Sequence, residues 1–436
     1  MKKLLVFGLA TLLVIAFCVP ASALENIFGG YWRVRGYKMK DFSGESDGDL
    51  DATQTTTRTR LYYTAVLNDN LKLVNKFEMD ALFGGQGDPD GDNGSYGDFG
   101  ADGVSVEVKN SYAEFNLGPT TWKLGVMGAA IGRSIVFDND YAGAELVYWG
   151  DEDKNWWLRG RWLKAYEGYT DGSSNTSQNR EDYDAASLEA SFKLGEAGTI
   201  RPYGIYSWSL RYQGADAITG VSRIPDGNNA SIYWLGLDTD FTLGSLALYG
   251  SAAYSGGTLD GQGGADDTDF KGFVVLAGAD LPLGPATIHT QGFYASGDAA
   301  EPERGSDVNG FVGLSDSYYW AEIMGFGTLD DVAVSAGSPG DKLNNIWALN
   351  LGATIKPFDK LSIRGDVWYA EKPQDDFITD EKKLGVEGDL HINYQLVEGL
   401  NLELIGAYLW ADDATSTDGN NDEDPYEIGF ETSLSF

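Results

Sequence analysis

The chain ends Tyr426-Glu427-Ile428-Gly429-Phe430-Glu431-Thr432-Ser433-Leu434-Ser435-Phe436. In an extended chain successive side chains point to opposite faces. Tyr426, Ile428, Phe430, Thr432, Leu434 and Phe436 therefore share one face, and Glu427, Gly429, Glu431, Ser433 and Ser435 share the other. Upstream, Leu384, Val386, Leu390, Ile392 and Tyr394 alternate with Glu387, Asp389, His391, Asn393 and Gln395. Leu361, Ile363, Val367 and Tyr369 alternate with Ser362, Arg364, Asp366 and Trp368. The unit is a strand, and it repeats along the whole chain.

Alternation alone fits a soluble sandwich, with its apolar face inward, or a membrane barrel, with its apolar face toward lipid. Three features favour the barrel. Connections alternate between tight turns and long Gly-rich loops. Aromatic residues such as Trp156, Trp157, Trp410, Tyr426 and Phe436 gather near strand ends, where a girdle meets the lipid interface. The terminal Phe436 resembles the C-terminal signal by which outer-membrane barrels are recognised for insertion. Short turns are expected at 68–70, 118–120, 151–155, 195–198, 244–245, 284–285, 358–360 and 398–399. Long loops are expected near 40–52, 84–103, 132–140, 169–182, 213–228, 257–268, 298–344, 373–382 and 411–424. The fold class is all-β: a transmembrane antiparallel β-barrel of about eighteen strands, with short periplasmic turns and long acidic external loops. Closure removes the free edges of an open sheet.

The first 23 residues read as a separate object. Lys2 and Lys3 precede an apolar run from Leu4 to Val19, and Ala21-Ser22-Ala23 supplies the small residues of a cleavage site. The run is short for a membrane helix. The expectation is a signal peptide at 1–23 and one barrel domain at 24–436, exported to the cell outer membrane. The single cysteine, Cys18, lies in the leader, so the mature chain does without disulfides.

The 436 residues carry 31 Lys and Arg against 66 Asp and Glu, a net charge of −35 that becomes −37 when Lys2 and Lys3 are removed. Such acidity argues against nucleic acid as a partner, because phosphate binding needs clustered cations. The loops at 40–52, 84–103, 298–344 and 411–424 hold 25 of the 66 acids in 94 positions, so the surplus is external. That surplus suits solvated loops, cation recruitment at the mouth, or divalent bridging to lipopolysaccharide. The run Asp88-Pro89-Asp90-Gly91-Asp92-Asn93 looks partly like a calcium loop, but Asn93 and Phe99 stand where Gly and Glu are needed. No metal or other cofactor is expected.

Charge on a lipid-facing position is costly, so the phase assigns many Arg and Lys to the lumen. These are Arg33, Arg35, Arg58, Arg60, Lys72, Lys76, Lys123, Arg133, Arg159, Arg161, Arg201, Arg211 and Arg364. Inward acids are Glu78, Asp80, Asp366, Glu387, Asp389, Glu403, Glu427 and Glu431. The last strand of a closed barrel pairs with the first, so an acidic wall abuts a basic one. The two brace each other as ion pairs, set a transverse field across a water-filled pore, or do both. Two segments are apolar enough to fold inward: 132–140, and 317–326 within the 298–344 loop.

In strand rhythm and terminal Phe436, the mature chain resembles Gram-negative porins of sixteen to eighteen strands. Trp32-Arg33-Val34-Arg35, Arg58-Thr59-Arg60-Leu61 and Asp69-Asn70-Leu71-Lys72-Leu73 resemble the opening of the alginate-export type. That resemblance implies inward basic residues that pass an anionic polymer. The type's Gly-Arg-Gln element is only partly mirrored, as Gly132-Arg133-Ser134, and the inward acids of the last four strands depart from it. Catalysis is not expected: the two histidines, His289 and His391, phase to the lumen in mid-strand, and no Gly-x-Ser-x-Gly element occurs.

The expected function is a channel for passive or weakly selective diffusion of small hydrophilic, charged solutes, in contact with outer-membrane lipid and lipopolysaccharide. A homo-oligomer is compatible with this. The alternatives are anionic-polymer export and a structural sheath around a threaded protein.

Overall fold

The structure is a computed structural model. It describes residues 24–43, 51–84, 106–166, 182–209, 229–261, 266–298, 307–329, 333–334, 338–375, 380–416, 421 and 423–436. The leader, the calcium-like run and Arg211 lie outside these residues. Eighteen strands are formed: β1 (Glu25–Lys40), β2 (Ala52–Asn68), β3 (Leu71–Leu82), β4 (Glu107–Leu117), β5 (Thr120–Ile131), β6 (Phe137–Trp149), β7 (Trp156–Tyr166), β8 (Tyr183–Lys193) and β9 (Gly198–Ser209). The series continues with β10 (Ala230–Leu243), β11 (Leu246–Leu259), β12 (Thr268–Leu283), β13 (Ala286–Ala295), β14 (Ile346–Phe358), β15 (Leu361–Glu371), β16 (Lys383–Val397), β17 (Leu400–Ala411) and β18 (Tyr426–Ser435).

Each strand pairs antiparallel with its neighbours in sequence, and β1 pairs with β18, so the sheet closes. An even strand number leaves β1's start and β18's end at the rim of short turns. The closing seam is knit from outside. A Cβ on Gly30 would lie 2.4 Å from the Phe436 ring, and one on Gly36 would lie 2.6 Å from the Phe430 ring. The rings therefore lie flat against bare backbone, and Gly30 N–H donates to the Phe436 carbonyl at 2.9 Å.

The outward face is apolar along the middle of the wall, with Leu73, Leu124, Leu188, Leu235, Val275, Leu351, Leu390, Leu404 and Ile428 all exposed. Two aromatic belts flank this band. Phe28–Tyr63, Phe115–Trp122 and Tyr148–Trp156 lie toward the short-turn rim. Tyr206–Trp208, Tyr233–Tyr254, Phe273–Tyr294, Trp347–Tyr369 and Tyr408–Trp410 lie toward the loop rim. A band flanked by amphipathic rings matches the thickness profile of a bilayer. Trp157 departs from the girdle expectation: it shares the lumen face with Arg159, whose guanidinium sits 4.5 Å from its ring centroid.

The lumen also departs from a uniformly polar reading. In the loop half of β9 to β14, inward positions are held by Ile205, Ile232, Trp234, Val274, Leu276, Phe293 and Ile346, all buried. They are apolar because chain packs on them from inside rather than water.

Candidate functional site

Among the described residues, two segments enter the lumen. The ladder between β4 and β5 ends at Ser111–Val126, and that between β6 and β7 begins at Ala142–Lys164. Between those limits β5 and β6 keep pairing with each other, from Met127–Tyr141 to Ile131–Phe137. The hairpin 127–141 thus leaves the wall and bends inward. Gly125 permits the departure: its φ is +135°, and a Cβ there would lie 2.2 Å from the Ser111 carbonyl oxygen. The expected loop 132–140 is only the turn 132–136, since β6 already begins at Phe137. Arg133 accordingly sits in this turn, not on β5, with φ of +53°. It reaches β10, four strands round from β6, donating to the Thr239 carbonyl at 3.0 Å and pairing with Asp240, which Arg201 also holds.

The second segment joins β13 to β14. Val308 bridges to Phe270 on β12, and the Trp234 indole N–H donates to the Val312 carbonyl at 2.6 Å. It then meets the hairpin: Asp138 N–H donates to the Ser315 carbonyl at 2.7 Å, and Leu314 N–H to that of Val136 at 2.8 Å. Trp320 packs edge-on against Phe293 and Trp368, at 5.2 and 5.3 Å between centroids. Glu387 on β16 then takes two consecutive backbone N–H groups, those of Ile323 at 2.7 Å and Met324 at 2.8 Å. A buried carboxylate and two buried amide donors satisfy one another there, so the bond pins the segment to the wall. Within this segment Asp316 is fully buried, and desolvation pushes its carboxyl up to about 7 against the opposing pull of Lys342.

The basic wall lies on β1 to β5. Arg33 and Arg58 are register neighbours, as are Tyr31 and Arg60. Arg35 pairs with Glu431 across the closing seam at 2.7 Å, and Arg33 stands 4.0 Å from the same carboxylate. Arg58 donates to Asp80 at 2.8 Å, and Arg60 pairs with Glu78. Lys72 meets Glu114 at 2.9 Å, and Lys123 meets Glu145 at 2.9 Å. Lys76 differs. It lies 5.3 Å from the Tyr62 ring centroid and has no carboxylate partner among the described residues. Further round, Arg161 pairs with Glu145 and Glu189, and Arg159 is 3.6 Å from each.

The remaining expected residues form a second cluster on β15 to β18, which His289 joins from β13. Arg364 donates to Asp366 at 2.6 Å, and the same carboxylate meets His289 at 2.7 Å. His391 lies between Glu403 at 3.2 Å and Glu322 of the inward segment at 3.4 Å. Asp389 and Glu427 are buried on the lumen side. Glu145 and Glu189 were missed in the sequence although their phase is inward; they anchor two arginines and are found by extending the alternation to β6 and β8. Asp240 could not be paired with Arg133 from phase, because that contact joins strands that are not neighbours.

Among the described residues, the open lumen beside these segments includes two polar lobes. A lobe of about 440 Å³ is lined by Arg33, Arg35 and Arg364 with Asp366, Asp389 and His391. One of about 760 Å³ is lined by Arg60, Lys76, Lys109 and Lys123 with Tyr62 and Tyr112. Its polar lining and cations suit a hydrated anion rather than an apolar ligand.

Solved structures share this architecture. Acinetobacter baumannii OccAB4 superposes with a TM-score of 0.57 at 11% identity, over 96% of this chain and 99% of that one. The fold is that of an outer-membrane porin. A BenF-like porin from Pseudomonas fluorescens Pf-5 gives 0.57 at 12% identity, over 94% and 99%. Pseudomonas aeruginosa OccK2 (OpdF), solved in complex with glucuronate, gives 0.57 at 14% identity, over 94% and 98%. No protein-family model and no curated protein sequence matches the chain.

Proposed function

We propose that this chain is an outer-membrane channel that admits small hydrophilic anions, with the short-turn rim in the periplasm. The observation that carries the reading is the larger lobe, where five inward cations and three tyrosines surround open space beside the narrowed lumen. Most of those cations are neutralised by wall carboxylates, so the field there is graded rather than strong, and selection is correspondingly weak. Lys76 is the exception and the side chain best placed to hold a carboxylate in transit. A sugar acid, such as the glucuronate bound to OccK2, has the size and charge such a lobe accepts.

Reversal potentials in planar bilayers test this. Converting Lys76 to Gln should move the reversal potential toward cations without orphaning an acid. Converting Arg33, Arg35, Arg58 and Arg60 to Gln should move it further, because Glu431, Glu78 and Asp80 are then left uncompensated. The shift should be largest at low salt, since 0.15 M ions screen charge over about 8 Å. Unchanged selectivity in both variants would leave those cations as wall braces only.

An alginate-export-type channel is the second reading. Its support is that Arg33, Arg35, Arg58 and Arg60 lie side by side on β1 and β2. Their pairing with Glu431, Asp80 and Glu78 weighs against it. Uptake of uronate chains of increasing length separates the two, since the small-anion channel should reject all but the shortest. A sheath around a threaded protein is disfavoured by the hairpin and the inward segment, which cross the space such a partner would fill.

A further inference from the structure

The two lobes meet at two side chains, Arg58 and Tyr319, which line both. We infer that Tyr319 is the size-determining residue of the throat: its ring stands between the lobes and decides which organic anions pass, while the wall cations act on charge. The inference rests on the channel reading above.

Tyr319 is the only exposed residue between Gly310 and Leu329, at 54%, in a stretch otherwise buried or half-buried. Its mount is rigid on both sides. Tyr318 N–H donates to the Asp341 carbonyl at 2.8 Å, and the Trp320 indole donates to the Gly340 carbonyl at 2.8 Å. Three residues on, Glu387 pins Ile323 and Met324. The ring is braced by Phe326, 6.0 Å away and steeply tilted at 64°. Its hydroxyl has no hydrogen-bond partner among the described residues.

An aromatic side chain in a well-packed segment gains by burial. Here the neighbours on both sides turn into the packing, and this ring alone stands in water with its polar end unengaged. A ring held from behind cannot swing aside for a large solute. It also offers an apolar face and a free hydroxyl to a solute that fits.

The test uses the full-length protein in planar bilayers, with potassium chloride and potassium gluconate as the probes. Y319A should raise the gluconate-to-chloride permeability ratio by about threefold while leaving the reversal potential in a chloride gradient in place, because pore width changes and wall charge does not. Y319F should keep the wild-type ratio. As an independent arm, Y319C places a thiol at the throat of a chain whose single cysteine, Cys18, lies in the first 23 residues, and a bulky thiol reagent added during recording should step down the gluconate current in Y319C but not in the parent. A wild-type ratio in Y319A, or undiminished gluconate current after complete thiol labelling, would overturn the assignment while the channel reading stands. A wild-type protein that passes neither salt would overturn both.

Discussion

Asp316 shows how a single buried carboxyl ties the inward segment to pH. With its carboxyl held near 7 in the docked segment and an ordinary carboxylate value when solvated, docking takes up a proton between those limits. Its contribution is fully present below about pH 4 and is lost as pH rises through about 7. The segment should therefore loosen on going from mild acid to neutrality, read as a rise in conductance and in current noise. Asp316→Asn should flatten that slope and keep the segment docked at neutral pH. At this scale the sequence is informative about direction and silent about partners. Phase alone puts Arg35 and Glu431 on the lumen side, and closure of the sheet makes them neighbours. The burial of Asp316 has no signature in its own neighbourhood, because the walls that bury it come from strands far away in sequence.

Among the elements, the hairpin 127–141 is the one whose position depends on a few contacts. It is a continuation of the wall that has lost its lateral ladders, and its tip is held against β10 by Arg133 on Asp240 and the Thr239 carbonyl. Arg133→Ala should leave the barrel assembled and free the tip. The expected record is brief conductance steps absent from the parent, with little change in global stability, because the pair is solvent-exposed and Asp240 keeps Arg201 as a partner. Glu387→Ala should release the other segment in the same way, and the double variant should exceed either single one, since the segments hydrogen-bond to each other through Ser315 and Val136. The apolar run at 132–140 makes inward folding legible in the sequence. The extent of the turn is not, because residues 137–140 satisfy strand and loop patterns equally, and only the missing partners on β4 and β7 show where the wall ends.

For the molecule as a whole, strand number and closure follow from the alternation and the turns, and the eight short turns fall where their Gly, Asn, Asp and Pro residues place them. The apolar lumen face of β9 to β14 was not legible, because a strand covered on both sides loses the alternation that marks its inner face. Global stability should hinge on the seam. Gly30→Leu or Phe436→Ala should disturb the β1–β18 join, one by forcing the ring off the backbone and the other by removing it. Each should lower the temperature at which the barrel loses its compact gel mobility, with Gly30→Leu the more damaging, since overpacking of about 1–3 kcal/mol adds to the lost contact.

That seam also governs the order of events in folding. The Tyr31 hydroxyl donates to Glu431 across a sequence separation of 400, so the contact that completes the cylinder is among the most distant the chain makes. Hairpins between consecutive strands can zip locally and early, but nothing local rewards the final join, whose entropic cost must be met before any benefit arrives. Until β18 is delivered, β1 offers a raw, adhesive edge to every other chain in its surroundings. Assembly is therefore a race between one slow ring closure and intermolecular strand exchange, and the glycine–phenylalanine locks speed the finish only after the two ends have met.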